Sequence, residues 1–337
     1  MPGPGVSVVI PTYNRAHLVP RAIRSVLAAL EADDEIVIAD DASTDDTAAA
    51  LAPFGDRVRH LKLPHGGAGA ARNHGIRAAT RPLVAFLDSD DEWHPHKIRL
   101  QRDFLAARPD VLWCFSNFCV RTDNGETLHN FIAQWHRDSR SWDAILGPGM
   151  PYSAVAALPA AHDDFRVHVG SVYLAEMESD YVATSTVMVR REEAGAALHF
   201  AEDLPVSEDK ECFARLAGQG QTAYFDCELA TQWGHGGPRL TDANIYALAS
   251  ARLALLDRVW AQDATFMAAH RERLAECRRA QHLKRAQWLM VRGRTREARG
   301  DLRQAGACPL SFRLLAALPG PLTRGLLRMR RLVRGEA

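Results

Sequence analysis

Hydrophobic positions recur with two periods along the first third of the chain. The run 6–10 (VSVVI) is short, apolar and rich in β-branched residues, and Pro11 closes it, the pattern of a strand buried on both faces. Val19, Ile23, Val26, Leu27 and Leu30 then return at helical spacing, with Pro20 in the first turn. Apolar runs at 36–39, 58–63 and 83–87 predict three more strands, with helices predicted over 44–51 and 68–79. Strands alternating with helices at this spacing predict a mostly parallel sheet over the first ~110 residues. Ligands of such a sheet gather beyond the carboxyl ends of its strands. Four polar clusters come after the four strands: 11–15, Asp40 with Asp41, 65–69, and 88–91. All four are expected on one edge.

Further along, 111–120 reads as a strand, and the stretch to about residue 181 as irregular and Pro-rich in its middle. A strand is predicted over 183–189, a helix over 207–217 and a strand over 222–225. From 244 to about 299 the pattern is helical and rich in Ala and Arg, and Pro309, Pro319 and Pro321 punctuate the C-terminal end. Leu322, Leu326, Met329 and Val333 fall at i, i+4, i+7 and i+11, with Arg324, Arg328 and Arg331 on the opposite side. Such a helix either lies on an anionic membrane or packs its stripe against the protein's own helices. The expected organisation is a first unit over 1–110, a second over 111–240 and a helical, basic extension over 241–337.

Composition narrows the classes. In 337 residues with 47% hydrophobic side chains there is material for a sizeable core, which excludes disorder as the main state. Lys and Arg number 41 against 41 Asp and Glu, so a wholly basic nucleic-acid binder is excluded and no nucleic-acid partner is expected. The charge is nonetheless uneven: from residue 251 onward there are 19 basic and 7 acidic side chains, a basic tail on an acidic body. Six cysteines form no CxxC pair, which argues against a zinc or redox module and for reduced thiols. No signal-peptide pattern opens the chain. The longest uncharged run, 144–162, carries Gly147, Pro148, Gly149, Pro151 and Pro159, unlike a membrane helix. A cytoplasmic protein is expected, with any membrane contact peripheral, at the inner face, through the basic C-terminal helix.

Asp88, Ser89 and Asp90 form a DxD at the end of the fourth strand, where two carboxylates can reach one divalent cation. Hard oxygen donors favour Mg²⁺ or Mn²⁺, and Mg²⁺ characteristically fills its shell with substrate phosphates. The run HGGAGAARNHG at 65–75 stands before a helix, and two roles are open to it: backbone N–H groups approaching an anion, or a tight turn with close helix packing. It is not a dinucleotide fingerprint, since the first strand ends in Pro11 and Thr12. Glu208 and Asp209 come directly after Ser207, an expected N-cap. The stripe of Cys212, Phe213 and Leu216 is centred near Asp209, so Asp209 is expected to point inward and Glu208 to sit at the edge. Trp113, Trp135 and Trp142 are candidate sugar platforms, with core packing as the alternative.

Five blocks in order, VSVVIPTYNR at 6–15, IVIADDASTDDT at 36–47, GAARNHG at 69–75, FLDSDDEW at 86–93 and SEDKECF at 207–213, resemble the signature of family 2 glycosyltransferases. The resemblance spans residues 6 to about 213, with a sixth block, WGHGGPRL, at 233–240. It implies the GT-A fold: α/β, Rossmann-like, with a mostly parallel central sheet. It also implies transfer of a sugar from a nucleotide-diphosphate donor, foremost a UDP-sugar, to a glycan, lipid-linked or protein hydroxyl, with inversion and a divalent metal. By motif position, Pro11, Tyr13, Asp40, Asp41, Arg72, Asp88 and Ser89 would line the nucleotide, Tyr13 stacking on the base and Asp41 or Asp40 accepting from base or ribose. Asp90, Asp88 and His235 would serve the metal diphosphate. The acceptor hydroxyl needs a general base, for which Asp209 and Glu208 are the candidates. Two rivals stand beside this reading: a sugar-nucleotide nucleotidyltransferase, which would want a basic Gly-rich loop after the first strand, and a silent carbohydrate-binding or assembly protein, whose mark would be loss of a motif carboxylate.

Overall fold

All seven residues of β1 (Val6–Thr12) are buried, and so are five of the six of β2 (Glu35–Asp40), as expected of strands covered on both faces. In a computed structural model, which describes residues 3–135, 139–234 and 244–333, these strands run parallel with β3 (Arg59–Lys62) and β4 (Leu83–Phe86) in the order β3-β2-β1-β4. The edge strand β3 keeps Arg59 and Lys62 exposed, and charged edges resist pairing with another chain. Between the strands lie α1 (Val19–Leu27), α2 (Thr47–Leu51) and α3 (Gly67–Ala78). Close approach of α3 to β1 requires Gly75, because a Cβ there would stand 2.3 Å from Val9 Cγ1.

The short β5 (Glu92–Trp93) and α4 (Lys97–Ala107) lead into β6 (Val111–Arg121). The stretch expected to be irregular holds short elements: β7 (Thr127–Leu128), α5 (Phe131–Trp135), α6 (Trp142–Leu146), β8 (Met150–Pro151), β9 (Arg166–Gly170) and α7 (Tyr173–Glu178). Then come β10 (Met188–Arg190), α8 (Arg191–Ala194), α9 (Glu208–Gln219) and β11 (Gln221–Trp233). The sheet continues β4-β10-β6-β11-β9-β8, with β5 on β11 and β7 on β6. β10 is antiparallel to both its neighbours, while β6 and β11 are parallel.

Two strand predictions change. The strand expected over 183–189 is a 3-10 turn at Thr184–Thr186 and then β10. Side chains capture its backbone groups: Trp93 Nε1 donates to Ser185 O at 2.7 Å, and Gln101 Nε2 donates to Thr186 O at 2.8 Å. Thr186 Oγ1 donates to Ala183 O, the local bond by which hydroxyls compete with a ladder. The strand expected over 222–225 is instead the 13-residue β11, whose register shifts around Glu228 hide the alternation.

The chain divides into two compact units, Met1–Gly237 and Pro238–Ala337. The sheet and its helices make up the first. The second holds α10 (Ile245–Arg258), α11 (Ala264–Val291), α12 (Thr295–Ala305), α13 (Leu310–Ala317) and α14 (Gly320–Val333). Its core includes Ala286, Leu289, Met290, Ala298, Leu302 and Ala316. No helix among the described residues is long and apolar enough to cross a membrane.

Candidate active site

The loops after β1 and β2 are bound to each other. Asn14, in the left-handed region at φ 51°, donates its backbone N–H to Ser43 Oγ, and its side-chain oxygen accepts from Thr44 N at 2.7 Å. Asp40 Oδ1 accepts from Ser43 N, and Oδ2 meets His60 Nε2 at 3.0 Å. Asp41 accepts from Gly66 N at 2.7 Å and Gly67 N at 2.9 Å, and His65 Nδ1 lies 2.9 Å from its Oδ2. The anion at the start of α3 is thus the protein's own Asp41 carboxylate, held where the helix N-terminus is positive. The remaining glycines serve close packing, the second role open to the run: a Cβ at Gly69 would lie 2.8 Å from Ala201 O. Tyr13, 44% exposed, stacks on His65 with ring centroids 4.8 Å apart. All four polar clusters succeed strands of one parallel set, on the edge expected.

Beyond β4 the site is a group of carboxylates around one guanidinium. Arg72, buried on α3, donates Nη2 to Asp88 Oδ1 and Nη1 to Glu208 Oε1, both at 2.7 Å, with its guanidinium over the Phe200 ring. Asp88 and Glu208 therefore share a cation although Glu208 lies 136 residues from Arg72 in sequence. Ser185 Oγ accepts from Asp88 N at 3.1 Å and donates to Asp91 Oδ2 at 2.6 Å. Burial pushes the Asp88 carboxyl up, Arg72 pulls it down and Asp90 adds to the rise. Asp91 goes well above the usual carboxylate range through burial and then the charges of Asp90 and Asp88. Glu208 is also raised, by burial and by Asp209. Burial disfavours the Arg72 cation, but Asp88, Glu208 and Asp209 outweigh it and hold the charge on.

This surplus of negative charge is chemically suited to a divalent cation, whose hard oxygen donors it supplies. Among the described residues no group of three or more His, Cys, Asp or Glu side chains is arranged to hold a metal by itself. The carboxylates of Asp88 and Asp90 are donors of the kind such a cation takes, and its shell would need further ligands from outside the described residues. His235 and most of the block at 233–240 lie outside the described residues.

Several expectations about side chains are corrected. Glu208, not Asp209, is the more buried of the pair, at 5% exposure, whereas Asp209 is half-buried. The face argument fails because Glu208 is the first helical residue, with no turn before it, and Arg72 draws it in. Ser207 stands at the N-cap position with φ 64° and makes no side-chain cap bond. Asp209 accepts from Thr184 Oγ1 at 3.1 Å and from Lys210 N at 2.8 Å. Trp113 is fully buried between Phe115 and Phe213, which excludes it as a sugar platform. Trp142 stacks on Tyr224 and Trp135 packs on Phe118, both against the core.

Residues that pattern did not single out complete the site. Thr184 and Ser185 lie in a segment that reads as a strand. Asn73 was visible inside GAARNHG: its amide accepts from Phe200 N and donates to Phe200 O and Glu202 Oε1, tying the segment before α9 to α3.

Residues 7–155 match the family described as Glycosyl transferase family 2. An uncharacterized glycosyltransferase of Nostoc sp. is 44% identical over 146 residues, 42% of this chain and 45% of that protein. The Escherichia coli UDP-Glc:alpha-D-GlcNAc-diphosphoundecaprenol beta-1,3-glucosyltransferase is 32% identical over 130 residues, 38% of this chain and 51% of that one. The chain thus spans about half the length of the curated relatives it matches. Among solved structures, S. aureus TarS 1-349 in complex with UDP-GlcNAc has a TM-score of 0.56 at 14% identity, covering 89% of this chain and 88% of that one. The mannosyltransferase PcManGT of Pyrobaculum calidifontis, in complex with GDP-Man and Mn²⁺, has a TM-score of 0.54 at 16% identity, covering 98% and 81%. These likenesses establish the fold.

Proposed function

From the match of residues 7–155 to glycosyl transferase family 2, we propose a cytoplasmic, inverting, metal-assisted transferase that moves a sugar from a UDP-sugar to an acceptor hydroxyl. The observation that carries the reading is the Arg72 bridge, which sets the DxD and the Glu208–Asp209 pair around one cation. Breaking the anomeric C–O bond develops positive charge on the sugar and negative charge on the departing diphosphate. Acceptor activation needs a base with a free lone pair. Glu208 is committed to Arg72, while Asp209 is half-exposed and oriented by Thr184, so Asp209 is the base we assign.

Tyr13 offers an exposed ring for the base of the nucleotide, backed by His65. Asp41, oriented by the amides of Gly66 and Gly67, keeps further lone pairs for a base or ribose donor, with Asp40 beside it. Pro11 is the penultimate residue of β1, next to the same edge, and Ser89 sits between the two DxD carboxylates. Asp90 and Asp88, with His235, would hold Mn²⁺ or Mg²⁺, which when bound stabilises the leaving diphosphate as a Lewis acid. Arg72 then aims Asp88 and offsets part of the rise that burial gives its carboxyl. The acceptor is a glycan, lipid-linked or protein hydroxyl of glycoconjugate synthesis, in keeping with the lipid-linked acceptor in the name of the Escherichia coli relative. A cytoplasmic location is supported by the six free thiols.

The test is a screen of nucleotide sugars with Mn²⁺ by thermal shift, and then transfer assays. Asp209→Asn is expected to bind donor normally and lose turnover by roughly 10²-fold or more, with a smaller loss for Glu208→Gln. A dead Glu208→Gln beside an active Asp209→Asn would reverse the assignment.

A further inference from the structure

The six large hydrophobic side chains most exposed among the described residues include Leu310 (69%), Leu314 (60%), Leu322 (58%) and Leu326 (44%). Each pair is spaced i, i+4, so α13 and α14 each present two leucines on one face. These are not the packing faces of the two helices. Ala316 is buried, and Leu315 and Leu327 pack on the core of their own unit. Thr323 is fully buried and donates Oγ1 to Leu315 O at 2.8 Å. Gly320 lies so close to Gly293 that a Cβ would stand 2.0 Å from the Gly293 carbonyl oxygen. The stripe beginning at Leu322 and Leu326 therefore does not pack inward; Thr323 and Leu327 do.

Charge identifies what the leucines meet. Between Asp301 and Glu336 the sequence holds seven arginines and no carboxylate, and Arg313 and Arg324 are exposed on these same helices. A second copy would bring this cationic surface against itself. An anionic bilayer offers both a negative surface and an apolar interior, and helices of 8 and 14 residues lie in its plane rather than cross it. We propose that the outer leucine face of α13 and α14, with Arg313 and Arg324, is a docking surface for anionic membrane.

The test is flotation of the full chain with phosphatidylcholine vesicles, with and without phosphatidylglycerol, at low and high salt. The chain should float with the anionic vesicles at low salt and be released by salt. Leu314→Gln with Leu322→Gln should weaken vesicle affinity ~10-fold or more, and Arg313→Gln with Arg324→Gln by a similar factor. All four side chains are exposed, so unchanged thermal melts are expected and confirm folding. Failure of the wild-type chain to float, or equal flotation of the leucine pair variant, overturns the proposal. So does a dimer in sedimentation that the leucine substitutions dissolve. Vesicle binding is read without donor or acceptor, so its outcome is separate from that of the transfer assays.

Discussion

Replacing Arg72 with Met isolates the cation on which the carboxylate group depends. Arg72 and Glu208 side chains are each only 6% exposed, while Asp88 is 31% exposed and keeps some hydration. Removing one partner of a buried ion pair leaves the other uncompensated and costs about 3–5 kcal/mol. Glu208 takes most of that loss here. The pH dependence fixes the sign. Asp88 and Glu208 are already raised above their ordinary 3.8 and 4.5 in the fold, so each contributes stability that is full below its unfolded value and is lost as pH rises through the folded one. Without Arg72 both folded values rise further and the loss deepens. Urea unfolding monitored by tryptophan fluorescence, in EDTA and without nucleotide, should show the Arg72→Met deficit largest at neutral pH and shrinking toward the ordinary carboxylate range. Adding Glu208→Gln to Arg72→Met should return about 1–3 kcal/mol of coupling. A neutral-pH loss under ~1 kcal/mol, or a deficit that does not change with pH, would refute the reasoning.

Calorimetry with UDP is expected to show binding that requires Mn²⁺ or Mg²⁺ and is lost in Asp90→Asn; undiminished binding in EDTA counts against the metal role. Lys97 is fully buried, with Nζ 2.6 Å from Gln101 Oε1 and over the Trp93 ring, and burial pulls its pKa from 10.5 to about 7. The unfolded chain then holds the extra proton between those values, so stability should rise with pH across that window by up to ~1.4 kcal/mol per unit. Lys97→Met should remove that slope in a denaturation series, and an unchanged slope in the variant would show that Lys97 does not cause it.

The four parallel strands were legible because burial on both faces writes each as a continuous apolar run, and parallel connection then puts the polar cluster after each strand on one edge. The turn at Thr184–Thr186 was not legible, since its carbonyls are claimed by Trp93 and Gln101, partners that no local pattern reveals. Helical periodicity misplaced Glu208 for a related reason: its orientation is set by Arg72, across 136 residues of chain. The motif blocks contain Arg72, Asp88, Asp90, Asp91, Glu208 and Asp209, the charged side chains that the structure gathers beyond β4. They did not distinguish the carboxylate paired with Arg72 from its neighbour, nor the stacked Trp113 from an open platform. On α14 the sequence offered one leucine stripe and two uses for it, and the buried Thr323 shows which face turns inward.

β10 fills the gap between β4 and β6, so the two flanks of the sheet are joined by a strand made about a hundred residues after β4. During synthesis the early strands can pair while Asp88 still lacks Ser185, and Arg72 still lacks Glu208. A chain stopped near residue 155 would carry the family-matching segment and the DxD, but only half of the carboxylates that surround Arg72. Closure of the Arg72 cluster is thereby deferred until the late strand and α9 arrive, a long-range closure of the kind that slows folding. The same arrangement means that a break between α7 and β10 would leave Arg72 and Asp88 on one piece and Glu208 on the other, and that mixing the pieces back could restore the bridge.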